Sequence, residues 1–265
     1  MNEMIISDLS VGYKHRVVAS HLTARLQGGT LTALVGANGM GKSTLLRTLA
    51  GVQPPLAGTV TLVADGVERQ LSELSRRELS RWIGVVLTDR VAVENLTVEQ
   101  LVGMGRMPYT GFFGRLSDDD RRMVGEALAM TGLTPLALRQ VGTLSDGERQ
   151  KMMIAKALAQ QTPVVLLDEP TAFLDYPSKV ETLRLLGHLA HHTGKIIVLS
   201  THDLNLAVHL ADHLVTFGNG LEEVGKDRLR RYLDQLLEGQ HASLDEVMGV
   251  CQNSHPLLKY HKART

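Results

Sequence analysis

With 265 residues, 43% of them hydrophobic, the chain is long enough to bury one sizeable core or two lobes. Lys plus Arg and Asp plus Glu both total 28, which removes the net charge that would draw the chain onto nucleic acid or an anionic lipid surface. The single cysteine, Cys251, excludes an internal disulfide framework and fits a reducing compartment; Met1-Asn2-Glu3-Met4 lacks a secretory signal pattern and no apolar run approaches the roughly 18 residues of a spanning helix, so any membrane role is expected through a partner.

In chain order, Ile5 to Val18 reads as a hairpin around Gly12 and Tyr13, and Leu31 to Val35 as a short buried strand. A glycine-rich turn follows, then a helix from Leu45 to Ala50 that Gly51 ends. Pro54-Pro55 breaks the chain before Gly58 to Val67, a strand pair with an Asp65-Gly66 turn. Leu71 to Arg81 is a short polar helix and Trp82 to Leu87 an apolar strand. From Thr97 to about Gln161 the pattern is helical, over Val98 to Met104, Ser117 to Thr131 and Asp146 to Ala159. Ser117 followed by Asp118, Asp119 and Asp120 is a strong helix start, because the hydroxyl can cap and the carboxylates oppose the dipole. Alternation then resumes with Val164 to Leu167, Lys179 to His192, Ile196 to Leu199 and Leu204 to Leu210. After Gly225 a polar, helical tail ends in Lys259, Lys262 and Arg264. The expected architecture is an α/β domain over 1–225, with an antiparallel β subdomain, an inserted α-helical subdomain at about 95–161, and a tail over 226–265.

The turn itself, Gly36-Ala37-Asn38-Gly39-Met40-Gly41-Lys42-Ser43-Thr44, has the P-loop pattern between strand and helix that phosphate binding requires. Gly36, Gly39 and Gly41 let the backbone curl so that successive N–H groups face phosphate oxygens, and the new helix adds its positive end. Lys42 is placed for the β- and γ-phosphates of ATP, and the Ser43 hydroxyl for Mg2+. The second chemical element is Val164 to Leu167 followed by Asp168-Glu169. Two carboxylates at the end of a buried strand would lie beside the phosphate loop. Asp168 is assigned to Mg2+ and Glu169 to the water that attacks the γ-phosphate. Adjacent acids on a pleated strand point to opposite sides, so their roles are expected to differ.

Leu144-Ser145-Asp146-Gly147-Glu148-Arg149-Gln150, directly before a long helix, resembles the Leu-Ser-Gly-Gly-Gln signature of ATP-binding-cassette (ABC) ATPases. The resemblance implies a RecA-like ABC ATPase core. It also implies that Ser145, Asp146, Gly147 and Glu148 meet the nucleotide of a second, identical chain, so that two chains sandwich two ATP molecules. Within it, Tyr13 matches the aromatic that stacks on adenine and His202 the histidine that contacts the γ-phosphate. Thr171-Ala172-Phe173-Leu174-Asp175 looks like the D-loop, placing Asp175 at the dimer interface. Gly105-Arg106-Met107-Pro108-Tyr109, Phe112-Phe113-Gly114-Arg115 and His202-Asp203-Leu204-Asn205-Leu206-Ala207 bring it nearest to the ATPase subunits of importers for iron chelates, haem and vitamin B12. Such a subunit binds permease subunits at the cytoplasmic side of the inner membrane, peripherally, and meets an external substrate-binding protein only indirectly. Phe112 and Phe113 either pack inside the helical lobe or face that permease.

Two departures stand out. Thr88 occupies the place of the family's glutamine, which senses Mg2+ and water and links to the permease; its shorter side chain needs either Asp89 or a water to close the gap. Asp146 replaces the first signature glycine, and a carboxylate there is expected to point away from phosphate, toward solvent or a basic neighbour. A kinase or GTPase has no use for the signature, a chromosome-maintenance ATPase needs a long heptad insertion, and a nucleic-acid cassette adds basic binding elements. The alternative that remains is a non-transport ABC ATPase, or an importer ATPase for another substrate class. His191-His192 are read as solvated histidines, not metal ligands.

Overall fold

The computed structural model describes residues 2–14, 16–87, 95–111, 114–217, 220–227 and 229–231. Thr88, Asp89, Phe112, Phe113, Cys251 and the tail from residue 232 lie outside them. Its centre is a six-stranded sheet in the order β10-β9-β3-β8-β7-β6. The strands are β3 (Thr30–Val35), β6 (Ile83–Val86), β7 (Val164–Leu167), β8 (Ile196–Thr201), β9 (His213–Phe217) and β10 (Leu221–Glu223). All pair in parallel except β10 with β9. A second sheet, antiparallel, has the order β2-β1-β4-β5, formed by β1 (Glu3–Tyr13), β2 (Arg16–Gln27), β4 (Ala57–Ala64) and β5 (Val67–Gln70).

The period of two along β7 and β8 explains why these strands are apolar throughout. Val165, Leu167, Ile197 and Leu199 enter one core, shared with the helices. Val164, Leu166, Ile196 and Val198 enter the other, shared with the antiparallel sheet. Strands covered on both faces have no solvent face to make polar, and burial of that area is the main driving force.

The helices are α1 (Lys42–Leu49), α2 (Arg76–Leu79), α3 (Val98–Gly103), α4 (Asp118–Met130), α5 (Asp146–Ala159), α6 (Tyr176–Thr193) and α7 (Leu204–Leu210). Reciprocal capping boxes start α2, α3, α4 and α5, through Ser75 with Glu78, Thr97 with Gln100, Ser117 with Asp120 and Ser145 with Glu148. The Asp120 box has a second job. Its Oδ1 accepts from Arg106 Nε at 2.8 Å, while Arg106 Nη1 donates to the Ala159 carbonyl at 2.8 Å and the guanidinium lies 4.0 Å from the centre of the Tyr109 ring. One buried cation therefore ties the Gly105-to-Tyr109 turn to α4 and α5. Gly105 allows the approach, because a Cβ there would run into the Lys156 carbonyl.

Several boundaries differ from the sequence expectation. The first hairpin runs much further, with Tyr13 opposite Arg16, because the pairing register and not glycine sets its turn. Leu71 to Arg81 is a 3-10 turn, Leu71–Glu73, followed by the single turn of α2, split where Ser75 caps afresh. Helix α6 starts at Tyr176, since Asp175 caps it and Pro177 fits its first turn. Strands β9 and β10 extend the sheet where no strand was expected. Asp65 and Gly66 do form the turn before β5, both with positive φ, 51° and 77°. Val224 and Leu229 are buried in the helical-side core, so chain on both sides of residue 225 packs onto the domain.

Candidate active site

The carboxyl ends of three adjacent strands, β3, β8 and β7, meet at one edge of the sheet, the usual place for ligands in open α/β folds. The glycine turn leaves β3 there, Ser200 and Thr201 end β8, and Asp168 follows β7. A cavity of about 290 Å³ opens between that edge and the antiparallel sheet, with Tyr13 and Arg16 on one wall and Asn38, Lys42, Ser43 and Glu169 on the other.

The turn has the backbone shape that its glycines were expected to give. Gly36, Gly39 and Gly41 have φ of 146°, 84° and 103°. Helix α1 begins behind Gly41 with no side chain capping it, which leaves its positive end for an anion. Lys42 is buried, and its Nζ donates to the carbonyls of Gly36 at 2.8 Å and Ala37 at 3.0 Å. Burial pulls this ammonium below its usual pKa, against the carboxylates of Glu169 and Asp168. Met40 folds back so that its sulfur accepts the Ala37 N–H at 3.1 Å, a weak acceptor that a phosphate oxygen would displace. Thr44 is buried in the first turn of α1, and its Oγ1 lies 3.4 Å from the Tyr13 hydroxyl. The Tyr13 ring is 51% exposed, open to a flat partner at the cavity wall.

Asp168 and Glu169 are separated by backbone geometry, and this corrects the pleat argument. Neither lies in β7, and Glu169 has φ of 46° immediately before Pro170, a conformation that costs a bulky residue of order 1–3 kcal/mol. Ser200 holds the turn in place. Its Oγ donates to Asp168 Oδ1 at 2.7 Å and accepts the Glu169 N–H at 2.8 Å. Ser43 Oγ donates to the same Asp168 oxygen at 2.9 Å. Glu169 Oε2 then reaches His202 Nδ1 at 3.2 Å. Ser43, Asp168, Ser200, Glu169 and His202 are thus one continuous polar chain, and the two carboxylates act electrostatically on the Lys42 ammonium.

Ser145, Asp146, Gly147, Glu148 and Asp175 line no part of this cavity, but they are adjacent to one another. A Cβ on Gly147 would sit 3.2 Å from Ser178 Oγ, and the Ser178 N–H is itself capped by Asp175 at 3.2 Å. The signature turn and the start of α6 therefore form one surface. Asp146 is exposed at the first position of α5, next to the helix dipole that favours a carboxylate. Among the described residues no group of His, Cys, Asp and Glu is arranged to hold a metal. His191 is exposed but not merely solvated, because its Nε2 pairs with Asp212 at 2.8 Å.

The ABC transporter family model matches residues 19–172. The chain is 43% identical over 219 residues to the achromobactin transport ATP-binding protein of Dickeya dadantii strain 3937, covering 83% of this chain and 80% of that one. It is 39% identical over 212 residues to the ferric enterobactin transport ATP-binding protein of Escherichia coli K12, covering 80% and 77%. A dimeric ATP-binding cassette bound to ADP and phosphate in a post-hydrolysis state superimposes with a TM-score of 0.67 at 26% identity, over 83% of this chain and 98% of that one. The chain belongs to the ABC transporter family. As a member it binds and hydrolyses ATP to energise transport across a membrane. Among the described residues no helix is long and apolar enough to cross one. This ABC ATPase carries one site residue that motif reading missed, Ser200. The only sequence signal was that polar Ser200-Thr201 directly follows an apolar run. Ser200→Ala removes the bridge between Asp168 and the Glu169 turn, so ATPase turnover is expected to fall about 10- to 100-fold, the usual range for an outer-shell partner. Steady-state rates checked beside nucleotide affinity would show it, and an unchanged rate would reduce Ser200 to packing.

Proposed function

We propose that the chain is the ATPase of an importer whose cargo is an iron chelate of the siderophore class. Two copies sandwich ATP beneath permease subunits, on the cytoplasmic side of the inner membrane. An external binding protein delivers the cargo and touches the permease alone. The hydrolytic reading rests on Lys42, Ser43 and Glu169 lining one cavity, with Asp168 bonded to Ser43 and His202 paired with Glu169 behind them. The cargo rests on the two relatives above, which are named for achromobactin and ferric enterobactin transport.

In this reading the N–H groups from Gly36 to Thr44, Ala37, Asn38, Gly39, Met40 and Gly41 among them, cradle the phosphates. Lys42 exchanges its two carbonyl acceptors for phosphate oxygens, and Tyr13 stacks on adenine. The hydroxyl of Ser43 and the carboxylate of Asp168, 2.9 Å apart, are the hard oxygen donors that suit Mg2+ and would hold it. Bound there, Mg2+ would offset the charge of the phosphate oxygens. Glu169 accepts a proton from the attacking water, and His202 steadies the carboxylate. Ser145 and Gly147 complete the other chain's site, with Asp146 turned outward and Asp175 crossing the interface. Thr88, outside the described residues, is assigned the link to the permease. The domain division at 1–225, with a helical subdomain at about 95–161 and a tail over 226–265 whose start packs onto the domain through Leu229, belongs to the same reading.

Uptake of labelled ferric siderophore, haem and cobalamin in cells carrying the wild type or Glu169→Gln tests the cargo. Loss of ferric siderophore uptake is expected. Loss of haem or cobalamin uptake alone would reassign the cargo, and unchanged uptake of all three would remove this importer reading.

A further inference from the structure

The groups that a phosphate would meet at Ser145 are already taken by the chain's own carboxylate. The Ser145 N–H donates to Glu148 Oε2 at 2.8 Å and its Oγ donates to the same oxygen at 3.0 Å. The Glu148 N–H returns to Ser145 Oγ at 3.2 Å. The other oxygen, Oε1, lies 3.6 Å from Arg139 Nη1. Arg139 is fixed independently of it, since its Nε donates to Thr143 Oγ1 at 3.0 Å and its Nη2 to the Thr143 carbonyl at 2.7 Å. The backbone and hydroxyl bonds from Ser145, and then the Arg139 and Lys151 charges, hold the Glu148 carboxyl below its usual pKa. At neutral pH an anion with the acceptor chemistry of a phosphate oxygen therefore occupies the turn. A glutamine would make the same capping box without the charge.

We propose that Glu148 is an internal competitor for the phosphate-binding turn, and that Arg139 is the positioning residue that retains its carboxylate through Oε1 when Ser145 passes to a phosphate of the opposite chain's nucleotide. This regulation presupposes the two-chain sandwich proposed above. A carboxylate that stays near Ser145 repels the incoming phosphate and competes for its donors, so closure of the pair is restrained until nucleotide is bound. The anchored Arg139 lowers that cost by giving the released carboxylate a fixed counter-charge, and it can do so only while residue 148 is charged.

The test is sedimentation with ATP and Mg2+ in the Glu169→Gln background, comparing Glu148→Gln, Arg139→Gln and the double variant. Thermal unfolding of each checks that α5 is intact. Glu148→Gln is expected to form the dimer at roughly tenfold lower protein concentration, with a gap that narrows at high salt. Arg139→Gln alone is expected to need about threefold more protein, and to have no effect once Glu148 is Gln. If Arg139 only braces Thr143, its effect persists in the double variant and the positioning role is overturned. Equal dimerisation of all four proteins would overturn the competitor while leaving the sandwich intact. No ATP-dependent dimer in any of them would remove the sandwich, and the competitor with it.

Discussion

Glu169→Gln is expected to keep ATP binding and to lose turnover by at least about 100-fold, whereas Lys42→Ala loses binding as well. The difference follows from where the two side chains stand. Glu169 is held by a strained backbone turn, by Ser200 on its N–H and by His202 on its carboxylate. A glutamine keeps that shape but cannot take a proton from water. Lys42 is buried beneath the glycine turn, and its removal leaves the Gly36 and Ala37 carbonyls without their donor and the phosphate site without its charge. Steady-state ATPase rates measured beside nucleotide titrations separate the two outcomes. Turnover of the Gln variant near the wild-type rate would take the water-activating role away from Glu169.

The largest stability effect is expected at the buried pair of the helical block. Asp120→Ala should destabilise the protein by about 3–5 kcal/mol, because it strands the Arg106 guanidinium in the interior and also opens the cap of α4. Arg106 and Asp120 have side chains only 7% and 9% exposed, so solvent screens the pair little. Hydrogen bonds from Ser117, and then from Arg106, hold the Asp120 carboxyl below its usual pKa. A carboxylate with a depressed folded pKa contributes its stability above the unfolded value, near 4, and loses it as pH falls through the folded value. Urea unfolding at neutral pH and below pH 4 should therefore show the variant's deficit shrinking in acid. A deficit that is small at neutral pH, or unchanged in acid, would show that the pair is not what holds the block.

The chemistry was legible where a local run of residues carries it. Gly36, Gly39 and Gly41 announce a phosphate turn because few other residues accept those backbone angles, and the apolar run before Asp168 announces a doubly covered strand. Ser145 and Glu148 could be read as a helix start, as could Ser117 and Asp120. What was not legible depends on partners far apart in the chain. Ser200 matters only because β8 lies between β3 and β7, an order that no short window contains. The Arg106 contact with Asp120 spans 14 residues and that with the Ala159 carbonyl 53, so the family-like run Gly105 to Tyr109 gave no hint of a buried cation. The separation of Asp168 from Glu169 was attributed to strand pleating when a positive φ at Glu169 produces it. Strands β9 and β10 are short, and although β10 pairs with its neighbour β9, β9 joins the sheet only through β3, far back in the chain.

The central claim is that each catalytic site takes its P-loop from one chain and its signature turn from the other. Mixing two inactive variants, Lys42→Ala and Ser145→Arg, tests it most directly through Mg2+-dependent ATPase activity. A mixed pair contains one site with both defects and one with neither, so activity absent from each variant alone is expected to return in the mixture, to about a quarter of the wild-type rate for random pairing. A mixture as inactive as its two components would contradict the shared site.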